Sequence, residues 1–138
     1  LPEPTPRDAD LLVRVHAVSV NPADCRMRRR KADDGQFAVL GWDVAGEVVA
    51  VGRAASGFAV GDAVYYAGDL TRPGGNSELH AVDAAIVGRR PRSITPAEAA
   101  ALPLTALAAW EALFERLGLS PDGPGDDRTL LIVGAAGG

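Results

Sequence analysis

The stretch "GWDVAGEVVAVG", Gly41 to Gly52, decides how the chain is read. From Val44 it is short, rich in valine and closed by glycine, which is the composition of a β-strand. Gly46 sits inside that run, where a glycine marks a bulge or a close approach of another backbone. One strand needs partners, and the same signals recur on both sides. Upstream, "DLLVRVHAVSVN" (Asp10–Asn21) alternates Leu11, Val13, Val15 and Ala17 with Arg14 and His16, a half-buried strand with four apolar residues on one face. Downstream, "GDAVYYAG" opens a strand at a Gly-Asp turn, and "SELHAVD" and "AIVGRRP" supply two more. Short strands at close spacing predict a small barrel or sandwich.

After residue 94 the character changes. "TPAEAAALP" begins a helix, with Thr95 as N-cap, Pro96 at the first helical position and Glu98 completing a capping box. Leu102-Pro103 interrupts it. A second helix follows, with Leu107, Trp110, Phe114 and Leu117 on one face and Gly118 as its cap. "SPDGPGDDR" reads as a linker. "TLLIVGAAGG" (Thr129–Gly138) then reads as a buried strand meeting a glycine-rich turn. Strands, then helices, then strand plus glycine turn is the order of a β domain leading into a doubly wound nucleotide-binding domain.

Composition bounds the function. The 138 residues are 47% apolar and 23% charged, with net charge -4. That balance is globular and argues against nucleic-acid and anionic-membrane partners. "RMRRRK" (Arg26–Lys31) is the one basic cluster; it lacks interleaved aromatics and reads as a solvated loop. No apolar run approaches the roughly 20 residues that span a bilayer. Cys25 is the only cysteine, so no internal disulfide forms, and a cytoplasmic setting is expected.

Five blocks carry a family resemblance: "NPADCRMR", "GWDVAGEVVAVG", "GDAVYY", "AEAAALPLTALAAWEAL" and "LLIVGAAGG". In this order they resemble the medium-chain dehydrogenases/reductases, in particular the quinone oxidoreductase and zinc-type alcohol dehydrogenase-like group. "YYAGDLTRPGGNSELHAVDAAIVGRRP" is especially similar to that group. The resemblance implies a mainly β fold: a GroES-like β-barrel, then helices, then the first strand of a Rossmann domain. Residues 1–118 would be the catalytic domain with its connecting helices, 119–128 a linker and 129–138 the start of the cofactor domain. It also implies that the chain is a piece of a longer enzyme, since the glycine turn has no helix after it and there is no initiator Met.

The resemblance assigns roles residue by residue. The zinc branch has a ligand Cys in the first block and Gly-His-Glu in the second. Here Asn21 stands near the Cys position, and Gly41-Trp42-Asp43 replaces Gly-His-Glu. Indole cannot ligate zinc, so no metal is expected, and lone Cys25 reads as a packing residue. Without zinc, hydride from NADPH passes to a quinone, an enone or an aldehyde, and the developing oxyanion needs hydrogen-bond and proton donors. Asn21 and Tyr65 are the candidates. Asn21-Pro22 alternatively only starts a turn, and Tyr65 alternatively only packs. Tyr66 faces the other way, so at most one of the two tyrosines serves. Asp24 and Asp43 read as a salt bridge tying the loops, to Arg26 or Arg28. Gly134, Gly137 and Gly138 would admit the cofactor pyrophosphate. The family's nicotinamide-contacting Thr falls at Ala108, leaving Thr105, one turn earlier, as the candidate. Ala108 leaves open a second reading, a non-catalytic nucleotide-sensing or interaction homologue. The open edge of the last strand is a template for a second copy, so the tail is expected either to be disordered or to pair with one, and a homodimer is expected of the longer protein.

Overall fold

The computed structural model describes residues 1–122 and 129–134. Five antiparallel strands form one sheet in the order β4-β1-β2-β3-β5: β1 (Asp10–Ser19), β2 (Asp43–Val51), β3 (Ala63–Ala67), β4 (Leu79–Asp83) and β5 (Gly88–Arg89). Helix α1 (Pro22–Arg30) lies between β1 and β2 in the chain; α2 (Pro96–Ala100) and α3 (Pro103–Trp110) follow the sheet. Among the described residues no helix is long and apolar enough to cross a membrane. The chain divides into two compact units, Leu1–Leu104 and Thr105–Gly138.

In the first unit the sheet buries two faces. Leu11, Val13, Val44, Val48, Val64, Tyr66 and Val82 form the main core. Ala45 packs on the other side against Ala99 and Ala100 of α2, with Ala17 and Tyr65 alongside. Strict alternation along β1 would put Ala17 with Val15. Instead Val15 pairs with Gly46 and Ala17 with Ala45, so His16 is an extra residue and the strand turns Ala17 over to the α2 side. The bulge lies beside Gly46, where an added Cβ would fall inside contact distance of the Arg14 carbonyl oxygen. Any side chain there would push β1 and β2 apart.

Three expected elements differ. "RMRRRK" is not a loop. It is the end of α1, whose three arginines Arg28, Arg29 and Arg30 fill the last turn, where cations favour the carbonyl end of the helix dipole. "AIVG" is mostly a 3₁₀ turn (Ala84–Ile86) capped by the Asp83 carboxylate, leaving only Gly88–Arg89 as strand. Leu130–Val133 lie in no strand and are exposed; a strand exists only against a partner, and the described residues supply none. The Thr95–Glu98 capping box forms as read.

In the second unit α3 passes into a π-helical stretch, Glu111–Arg116, with Leu117 N–H donating to the Ala112 carbonyl. Arg116 pairs with Glu111 at 2.6 Å. The widened i→i+5 spacing brings residues five apart to the same side, as in this ion pair, while Trp110 and Phe114, four apart, make an edge contact at the ordinary helical spacing. Leu119 N–H then reaches back to the Leu113 carbonyl across Gly118, at φ 64°, closing the helix as its glycine implies.

Candidate active site

The site is assembled by two carboxylates that, among the described residues, are held by uncharged donors. Asp24 is the third residue of α1. Its carboxylate accepts from the Asn21 backbone N–H at 2.7 Å and from the Gly41 backbone N–H at 3.0 Å. One side chain thus caps its own helix and fastens the helix to the segment that enters β2. The expected salt bridge to Arg26 or Arg28 does not form: backbone donors take the carboxylate, and both arginines are exposed. Gly41 is at φ 87°, and a Cβ there would run into the Asn76 side chain, so the turn that delivers Trp42 and Asp43 requires glycine. The 74–76 segment holds this turn from the far side, through Gly74 to the Val39 carbonyl and Asn76 to the Leu40 carbonyl.

Asp43 is 2% exposed. Its carboxylate accepts from Asn21 Nδ2 at 2.9 Å and from the Leu104 backbone N–H, in the first turn of α3, at 3.0 Å. Burial, reinforced by the nearby Asp24 charge, holds its carboxyl above the usual carboxylate range. Register places Asp43 opposite Ala67 and Ala45 opposite Tyr65. Asp43 and Tyr65 therefore share the α2-facing side of the sheet as diagonal neighbours, with Cα atoms roughly 7–8 Å apart by strand geometry. Asn21, Asp43 and Tyr65 are brought to one side, and one of the two Asn21 Nδ2 hydrogens is committed to Asp43.

Tyr66 goes to the opposite face. It is buried, and its hydroxyl lies 2.9 Å from His80 Nδ1. His80 Nε2 lies 2.9 Å from the Pro73 carbonyl, which can only accept, so Nε2 carries the hydrogen and Tyr66 donates to Nδ1. Burial pushes the Tyr66 hydroxyl well above its ordinary range and His80 below its own. Trp42, in the place of the zinc-branch His, is 8% exposed, and among the described residues its Nε1 is the buried side-chain nitrogen or oxygen without a hydrogen-bond partner. An indole and a primary amide do not fit a tetrahedral zinc site, and Cys25, expected as a buried or semi-exposed packing side chain, is exposed on α1. Among the described residues no group of three His, Cys, Asp or Glu side chains is placed to hold a metal. Arg28, Lys31, Phe37 and Leu40 line an open cleft of about 850 Å³ between the end of α1 and the segment before β2.

Thr105 is exposed on α3, and Gly134 stands at φ 73° after the apolar run. Gly137 and Gly138 lie outside the described residues. Sequence reading placed Asp24 and Asp43 together but missed their donors; the signal was Asn-x-x-Asp, the spacing of a helix N-terminus.

Comparison with known proteins identifies the family and the fold. Residues 7–92 match the alcohol dehydrogenase GroES-like domain. The chain belongs to that family. It is 39% identical over 138 residues to a zinc-type alcohol dehydrogenase-like protein of Staphylococcus aureus, covering 99% of this chain and 41% of the relative. It is 34% identical over 142 residues to the chloroplast envelope quinone oxidoreductase homolog of Arabidopsis thaliana, covering 100% of this chain and 43% of that one. The crystal structure of Escherichia coli quinone oxidoreductase complexed with NADPH superposes with a TM-score of 0.72 at 25% identity, over 88% of this chain and 37% of that one. The chain thus spans about two fifths of its relatives' length. Its fold is that of the GroES-like domain of the medium-chain dehydrogenases/reductases, mainly β with helices.

Proposed function

We propose that this chain forms the substrate side of an NADPH-dependent reductase of quinones, enones or aldehydes that works without catalytic zinc. The observation that carries the reading is the Asn21–Asp43 hydrogen bond: an amide donor, anchored by a buried carboxylate, near the position where the zinc branch has its ligand Cys. Bound NADPH would supply the hydride, held by Thr105, Gly134, Gly137 and Gly138 with the cofactor domain that begins at residue 129. Hydride addition to a quinone or to the β-carbon of an enone leaves the electron pair on oxygen. The second Asn21 Nδ2 hydrogen stabilises that oxyanion, and the Tyr65 hydroxyl delivers the proton that completes the two-electron reduction. The cleft of about 850 Å³ at Leu40 receives the rest of the substrate. The setting is cytoplasmic.

The test is turnover by the enzyme carrying this chain, followed as loss of reduced-nicotinamide absorbance across a panel of quinones and enones. Turnover with at least one acceptor is expected. Cofactor binding with no turnover on any acceptor would replace this reading with the non-catalytic one that Ala108 favours. The exposed run Leu130–Val133 is also proposed to pair with a second copy. Light scattering on the chain with and without residues 129–138 should show a dimer only when they are present; a monomer in both cases would discard the pairing.

A further inference from the structure

We infer that Asp43 is a positioning residue that sets the Asn21 amide and the Leu104 backbone in one fixed relation. The inference deepens the functional reading above and rests on it. Each Asp43 carboxylate oxygen accepts from a different element: Asn21, which starts α1, on Oδ2 and Leu104 of α3 on Oδ1. The partners are 22 and 61 residues away in sequence, so no local turn explains the arrangement. The residue is 2% exposed, and its donors are an amide and a backbone N–H rather than a cation, so neither solvent nor an ion pair accounts for its burial. Asp24 is the charged group that faces it. A carboxylate is the one side chain of this size that offers two acceptors and no donor, and that choice dictates which end of the Asn21 amide it holds. Asn21 Nδ2 must face Asp43, and its other hydrogen has a set direction.

Asp43→Asn tests this directly. The introduced amide can still accept from Leu104 through its oxygen, but its own hydrogens then confront Asn21, which must rotate to present Oδ1. The donor aimed at the substrate moves while the packing volume stays the same. In the enzyme carrying this chain, with a quinone as acceptor, kcat should fall roughly ten- to a hundredfold, as expected for a misplaced group, with KM for NADPH within about twofold. On the 138-residue chain, an acid titration followed by NMR should move the Asn21 side-chain amide and the Leu104 backbone amide with one shared midpoint, and Asp43→Asn should abolish it. Separate midpoints, or unmoved signals, would overturn the shared anchor. An unchanged kcat in Asp43→Asn would overturn the positioning role. If the wild-type enzyme turned over no acceptor while the shared midpoint was present, the functional reading would fail and the Asp43 geometry would stand.

Discussion

Tyr65 and Tyr66 are adjacent, and the pleat sends them to opposite duties. Tyr66→Phe deletes the hydroxyl that donates to buried His80 Nδ1. The acceptor left behind should cost about 1–3 kcal/mol, seen as a lower urea midpoint, with kcat of the enzyme carrying the chain little changed. Tyr65→Phe should do the reverse: near-native stability, and kcat lower by roughly a hundredfold, the scale of a lost proton donor. Equal kcat for Tyr65→Phe and wild type would leave Tyr65 a packing residue against Ala45 and Ala99. The alternation that separates the two tyrosines was legible in the sequence, because a strand fixes it regardless of context. The partners of Asp24 and Asp43 were not. Only the Asn21–Asp24 contact had a spacing to mark it; the backbone N–H groups of Gly41 and Leu104 are of a kind that every residue but proline carries, so no sequence letter marks them. Trp42 was legible only for what it cannot do, which is ligate zinc.

Among the elements, the 68–78 segment is pinned to β4 by His80, whose Nε2 donates to the Pro73 carbonyl. Burial holds the folded imidazole below its ordinary pKa. As pH falls past about 6.5, the unfolded chain therefore takes a proton before the folded one does. Stability should be intact above that value and decline below it. The urea midpoint at about pH 5.5 should lie below that at about pH 7.5, and His80→Asn should flatten the difference; an equally steep decline in His80→Asn would assign it elsewhere. Asp43 acts with the opposite sign and lower on the scale. Its raised folded pKa means its contribution is lost as pH rises through the carboxylate range. Strand and cap signals were legible here: β1 to β4 and the Thr95 box stand where local chemistry put them. The His16 bulge was not, because it answers to Gly46 on the neighbouring strand. The π-helical stretch was missed because the roughly 3.6-residue period of an α-helix cannot register an ion pair between Glu111 and Arg116.

Across the chain as a whole, the order of strands and helices was enough to reach a mainly β domain, and the GroES-like class followed from the family resemblance of the five blocks. The expected final strand depends on neighbours beyond Thr129–Gly134, and those are not a property of its own residues. The functional proposal comes down to one substitution of chemistry: an amide held by a buried carboxylate takes over the work of a metal in the zinc branch. The decisive experiment dialyses the enzyme carrying this chain against a strong chelator, measures its zinc by elemental analysis and follows NADPH oxidation with a quinone. Far less than about one zinc per chain, and the same turnover before and after chelation, are expected. Turnover lost on chelation and restored by added zinc would show that a metal, not Asn21, polarises the substrate oxygen.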